Sequence, residues 1–174
     1  MTPVQKRLHS AALQLFSEKG VSEITVSDLA QVAGVARGTV YNNLVSIESL
    51  FADVASELSS EMIQRVVNSA DPQLDPAQRI ANGIRLYVRR AHEEPRWGRF
   101  LTRYALNTEA LHDLWSGPPI QDMLSGLAHS RFSFDQATIT SVMGLLAGAT
   151  LSAILLVLDG RKTWREAGSE TAEL

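Results

Sequence analysis

Apolar positions recur at helical spacing along the chain and predict eight or nine helices and no strand. The first helix carries Val4, Leu8, Ala12, Leu15 and Phe16 on one face and stops at Lys19-Gly20. A short second helix starts at Thr25, an N-cap by type, with Asp28 at the acid position of a capping box. Leu29, Ala30 and Ala33 form its apolar face, and Ala30 has no bulk to push a crossing helix away. Gly34 stands where this helix must stop, because glycine accepts the positive φ of a residue just past a helix end. Val35 and Val40 then hold a third helix against the second.

Ser46 caps a fourth helix that runs to about Ala70, with Leu50, Val54, Leu58 and Met62 as its stripe, until Asp71-Pro72 ends it. Asp75-Pro76 restarts the chain with an N-cap and a proline at the first helical position. The fifth helix carries Ile80, Ile84, Tyr87 and Val88. Glu94-Pro95 opens the sixth, which carries Trp97, Phe100, Leu101 and Tyr104. A seventh starts near Thr108, is interrupted by Gly117-Pro118-Pro119 and resumes through Met123, Leu124 and Leu127. Ser133-Phe134-Asp135-Gln136 reads as a capping box for the eighth, which ends at Asp159-Gly160, and a short last helix begins at Thr163. The expected fold is all-α: a three-helix head over residues 1–46 and a larger helical bundle over 47–174, joined through the fourth helix without a flexible linker.

The eighth helix changes this picture, because no residue from Gln136 to Leu158 is charged. Its length suits a membrane span, and Gly144 and Gly148 match a small-xxx-small pairing motif. Thr138, Thr140, Ser141, Thr150 and Ser152 dilute the run, however, and its flanks lack an aromatic belt or a one-sided basic cluster. A helix apolar on every face needs cover on every face. One protomer of this size covers half of it, so the expectation is a homodimer through Ser141, Gly144, Gly148 and Ser152, with no membrane contact.

Composition adds mainly exclusions. The chain is 45% hydrophobic and 20% charged, as soluble globular proteins are. It has no cysteine, which removes disulfides, thiol chemistry and thiolate metal sites and fits a cytoplasmic location. No signal peptide is visible at the N-terminus. No glycine-rich phosphate loop, zinc-protease motif or nucleophile elbow occurs, so no enzyme activity, catalytic residue, metal or cofactor is expected. The net charge is −3, and within the first fifty residues Lys6, Arg7, Lys19 and Arg37 balance Glu18, Glu23, Asp28 and Glu48. A non-specific nucleic-acid binder would be basic.

Residues 25–44 nevertheless read as helix, tight turn, helix, the pattern whose second helix lies in the DNA major groove. Arg37, Gly38, Thr39, Tyr41, Asn42 and Asn43 on that helix, with Thr25 and Ser27 at the start of the one before, are the candidate contacts to double-stranded DNA. Asn pairs bidentately with adenine, so Asn42 or Asn43 is the candidate base reader. The run Gly34-Val35-Ala36-Arg37-Gly38-Thr39-Val40-Tyr41, followed by Ser46 and Glu48, resembles the DNA-binding domain of the tetracycline-repressor (TetR) family. The first helix, ending at Lys19-Gly20, resembles it too. Four positions depart from that pattern. Leu44 stands where the family usually has an aromatic, Ile47 where it often has a phosphate-contacting lysine, and Asn42 and Asn43 where it often has Tyr or His.

The resemblance implies a homodimeric transcriptional regulator that reads a palindromic operator and is released from it by a small-molecule effector bound in the C-terminal bundle. Met62, Tyr87, Trp97, Phe100, Tyr104, Trp115, Met123 and Met143 are the candidate pocket walls, although residues of these types at helical spacing also build cores. Arg96, Arg99 and Arg103 share a helix face, either solvated, paired with Glu93, Glu94 and Glu109, or recognising an acidic ligand. His92 and His129 read as surface or capping residues. The neutral head and Ile47 support a different reading, a helical ligand-binding or interaction protein whose head no longer binds DNA.

Overall fold

Helix starts follow the capping chemistry written in the sequence. Thr2 Oγ1 accepts the Gln5 N–H at 3.2 Å and Gln5 Oε1 accepts the Thr2 N–H at 2.8 Å, which opens α1 (Pro3–Glu18). The same reciprocal box, Thr25 with Asp28, opens α2 (Val26–Ala33). Caps of this kind stabilise a helix by about 1 kcal/mol. Gly34 ends α2 in the left-handed region at φ 64°, and the Val35 N–H returns to the Ala30 carbonyl at 3.0 Å. This tight turn delivers the chain into α3 (Arg37–Asn43). Ser46 Oγ accepts the Ser49 N–H at 3.0 Å at the start of α4 (Ile47–Ser69).

The computed structural model describes residues 1–173, and of Ala110 the backbone alone. It divides into two units, Met1–Leu58 and Ser59–Leu174. The division falls inside α4, whereas the sequence pattern draws its boundary at that helix's start. The reason is the first turns of α4: Leu50, Val54 and Ala55 are buried with the head, and the Phe51 ring meets Phe16 edge-on at 5.2 Å. Leu8, Leu15, Phe16, Leu29, Ala30 and Val40 complete that core.

In the second unit Asp75 caps α5 (Pro76–Glu93), accepting the Ala77 N–H at 2.7 Å. Helix α5 packs against α6 (Pro95–Tyr104), α8 (Pro118–Ala128), α9 (Ile139–Leu158) and α10 (Trp164–Ala172). Helices α5, α6 and α9 approach closely at Gly98, where a Cβ would stand 2.9 Å from the Ala91 Cβ and 3.3 Å from Leu158 Cδ1. The expected seventh helix is three pieces: a 3-10 turn at Glu109–Leu111, the single turn α7 (Asp113–Ser116), and α8 beyond Gly117. Pro118 takes the first helical position of α8, where a missing N–H costs nothing. The start of the long apolar helix lies at Asp135 rather than Ser133. Asp135 accepts the Ala137 N–H at 3.0 Å and opens a 3-10 turn, Gln136–Thr138, ahead of α9. Among the described residues there is no strand.

Helix α9 is long and apolar enough to cross a membrane by length and composition. In this fold Ile139, Met143, Ala147, Thr150, Leu151, Ala153 and Ile154 are buried in the bundle. The opposite side is open, with Leu145 73% and Leu155 48% exposed.

Candidate nucleic-acid interface and ligand chamber

The head holds α3 by one fully buried side chain, Val40, and turns the rest of the helix outward. Arg37, Gly38, Tyr41, Asn42 and Asn43 are exposed, and Thr39 is half-buried. Tyr41 is 67% exposed, too open for a core tyrosine. The two asparagines differ. Asn43 Nδ2 donates to the Thr39 carbonyl at 2.8 Å, folding that side chain back onto its own helix end. Thr25 is also engaged locally, since its hydroxyl donates to Asp28 Oδ2 at 2.7 Å and accepts the Asp28 N–H. That hydroxyl holds the Asp28 carboxyl below its ordinary range, helped by the Thr25 N–H. Ser27 and Ile47 are half-buried.

The second unit contains a chamber lined by α4 (Ile63, Val66), α5 (Ile80, Gly83, Ile84, Tyr87), α7 (Leu114, Trp115), α8 (Pro118, Pro119) and α9 (Met143, Leu146, Ala147, Thr150). It encloses about 50 Å³ of free space. Arg79 and Asp122 stand at its edge, with Arg79 Nε donating to Asp122 Oδ1 at 2.6 Å and Nη1 to the Leu74 carbonyl at 2.6 Å. The same pair also lines an outer cleft with Asp71, Pro72 and Gln121. Inside, the Tyr87 hydroxyl donates to the Leu114 carbonyl at 3.3 Å and Thr150 Oγ1 to the Leu146 carbonyl at 2.7 Å. Burial raises the Tyr87 phenol pKa, against the pull of the Arg90 charge, so the hydroxyl stays protonated.

Of the eight candidate walls, the structure brings Tyr87, Trp115 and Met143 into the chamber. Tyr87 and Trp115 stack with ring centroids 5.4 Å apart. The other five lie elsewhere. Met123 packs with Ile139 and Met143 in a small α8–α9 cluster. Phe100 is buried and pairs with Tyr104 at 5.0 Å. Met62 is buried on α4 and lines a separate surface cleft. Trp97 lies under Arg90, whose guanidinium stands 4.6 Å from the ring. Arg90 is a buried charge that the sequence pattern did not mark. Only 2% of its side chain is exposed, and it pairs with Glu61 at 2.7 Å and Glu94 at 3.3 Å.

Arg96, Arg99 and Arg103 occupy the exposed face of α6 and line no part of the chamber, while Glu93 and Glu94 pair with Arg89 and with Arg65 and Arg90. His92 is exposed, and His129 Nδ1 lies 2.8 Å from the Ser125 carbonyl at the end of α8. The sequence reading also missed Ile63, Val66, Arg79, Gly83, Asp122 and Thr150. The small-residue stripe of α9 lies on its open side, with Ser141, Gly144 and Ser152 exposed and Gly148 half-buried. A Cβ built on Gly144 or Gly148 meets nothing within 4 Å. Among the described residues no group of three or more His, Cys, Asp or Glu is placed to hold a metal.

Comparison with known proteins covers both units. The tetR-family profile of bacterial regulatory proteins matches residues 8–54, and the tetracyclin repressor-like C-terminal domain matches residues 75–173. The HTH-type transcriptional repressor DhaR of Mycobacterium sp. (strain GP1) is 34% identical over 83 residues, 47% of this chain and 41% of that protein. The nucleoid occlusion factor SlmA of Vibrio vulnificus is 28% identical over 102 residues, 59% of this chain and 52% of that protein. The matched segments thus span about half the length of these relatives. Among solved structures, FadR from Bacillus subtilis in complex with stearoyl-CoA superposes with a TM-score of 0.79 at 16% identity, covering 97% of this chain and 96% of that one. RolR in complex with resorcinol gives 0.63 at 22% identity, covering 98% and 86%. A TetR-like regulator from Rhodococcus sp. RHA1 gives 0.77 at 16%, covering 98% and 92%. The C-terminal match alone takes in more than half of the chain, and the chain belongs to the tetracycline-repressor family.

Proposed function

We propose that this protein is a homodimeric transcriptional regulator that binds a palindromic DNA operator through paired α3 helices and releases it when a small molecule occupies the bundle chamber. The observation that carries the reading is α3 itself. One apolar side chain fixes the helix, and the exposed Arg37, Tyr41, Asn42 and Asn43 offer groups suited to phosphate or base edges. In this reading Asn42 reads a base, while Arg37 and Tyr41 hold phosphates. The open small-residue side of α9 meets its symmetry copy, which sets the distance between the two recognition helices and hence the half-site spacing.

The chamber supports the effector half of the proposal. It is a mostly apolar space between bundle helices with a few convergent polar groups, which is where such ligands bind. An effector changes operator affinity by binding better to the conformer with the wrong helix spacing. FadR and RolR were solved with stearoyl-CoA and resorcinol, so this fold accepts ligands of very different size.

The test is selection from a randomised DNA duplex pool, followed by stoichiometry on the enriched sequence. A palindrome bound by two protomers is expected. No enrichment even at low salt would overturn the regulator reading and leave a helical ligand-binding protein.

A further inference from the structure

The chamber's polar groups share a property that bears on what it can hold. Tyr87 and Thr150 both donate their hydroxyl protons to backbone carbonyls, so each turns only acceptor lone pairs toward a ligand. Arg79, the cation at the edge among the described residues, is already held by Asp122 and the Leu74 carbonyl. A carboxylate entering here would have to displace Asp122 or sit beside it. The free space of about 50 Å³ is also small. A dry cavity that admits benzene measures roughly 150 Å³. A long acyl chain has no room, and even one ring requires the walls to move.

Gly83 marks where room exists. It sits in the interior of α5, where glycine is less favourable than alanine, and a Cβ there meets nothing within 4 Å. It borders both the chamber and the outer cleft, as Arg79 and Asp122 do. The ion pair, one partner on α5 and one on α8, thus borders both spaces beside a position with no side chain.

We propose that the chamber takes a compact, uncharged, ring-bearing molecule with one hydroxyl or N–H donor, admitted between α5 and α8 past the Arg79–Asp122 pair. The stacked Tyr87 and Trp115 rings supply a flat apolar wall, and Tyr87 or Thr150 accepts the donor's hydrogen bond. This rests on reading the chamber as the effector site.

The experiment is calorimetry on the full chain with four probes: phenol, its donor-free relative anisole, benzoate and octanoate. Phenol should bind, with anisole about tenfold weaker, the loss expected when a buried acceptor is left unpaired. Benzoate and octanoate should bind more weakly than phenol. Gly83→Ala, whose Cβ meets nothing within 4 Å, should keep the fold and weaken phenol binding, and Gly83→Leu should abolish it. Either Tyr87→Phe or Thr150→Val should erase the difference between phenol and anisole. The ligand class is overturned by tighter binding of either anion, by equal binding of phenol and anisole, or by phenol binding that survives Gly83→Leu. It is also overturned if phenol fails to bind up to about 10 mM, a very weak affinity for a site of this kind. Operator binding is measured separately with the same probes. Phenol that binds without changing operator affinity refutes the effector reading and leaves the ligand class standing. An anion that binds and releases DNA does the reverse.

Discussion

Helices α3 and α9 each leave one side uncovered, and the two sides are opposites. The open side of α3 carries Arg37, Tyr41, Asn42 and Asn43, while that of α9 carries Gly144, Leu145, Ser152 and Leu155. Water satisfies the first at no cost, so α3 can wait for a partner while the protomer is alone. The second leaves large apolar side chains in water, which favours a permanent partner and a shape that admits one closely. In the proposed regulator the contrast separates the surface that would recognise from the surface that would assemble. It also separates the substitutions that disturb each.

The largest effect should come from α9. Gly148→Leu, or Gly144→Leu, adds a side chain where the protomer has open space, so the protomer itself should fold unchanged. In a two-fold interface the clash occurs twice, at about 1–3 kcal/mol for each overpacked site. Sedimentation should show monomers or aggregates, and operator affinity should fall by two orders of magnitude or more with α3 untouched. Dimers that persist in both variants would remove the assembly role of this face.

Next in size is Arg37→Ala, which should weaken operator binding by about 1–3 kcal/mol without lowering the melting temperature. A lower melting temperature would show that α3 is packed rather than presented. Asn42→Ala should relax base preference at one position per half-site, and Asn43→Ala should do so far less because its amide is bonded to Thr39. Binding to a randomised operator library distinguishes the two, and equal relaxation by both variants would contradict the folded-back Asn43. Smallest is Ile47→Lys. One added phosphate contact should steepen the log–log salt dependence by about 0.9 and raise affinity modestly at low salt. An unchanged slope would place Ile47 away from the backbone.

The two regions also differ in how far the sequence foretold them. The helix-turn-helix depends on neighbours: Thr25 with Asp28, Gly34 with Ala30, and Val40 one turn into α3. Residue type and spacing determine such contacts, and the capping box, the left-handed turn and the exposed face all appear as expected. The chamber depends on distant partners. Arg79 meets Asp122 forty-three positions away, and its lining comes from five helices. Aromatic type alone could not tell Trp115, which lines the space, from Trp97, which lies under the buried Arg90. Gly83 and Thr150 carried no signal at all, because absent bulk and a back-bonded hydroxyl matter only once the helices are assembled. At Ser133 the sequence pattern predicts a capping box, but the carboxylate of Asp135, two residues on, takes the cap.

A negative side chain beside a DNA-reading helix would ordinarily repel phosphate. Asp28 has its carboxylate directed into the Thr25 hydroxyl and N–H, and this same cap makes it a proton-linked folding group. Glu48, Asp75 and Glu166 are held below their ordinary range by comparable means. For Glu48 the first cause is its own backbone N–H, for Asp75 the Arg131 side chain, and for Glu166 the Thr163 backbone. In each case the unfolded chain takes up the proton first as pH falls. The stability these groups add is therefore complete above the ordinary carboxylate range and disappears as pH drops through the depressed values. Acid should thus act on the beginnings of α2, α4, α5 and α10.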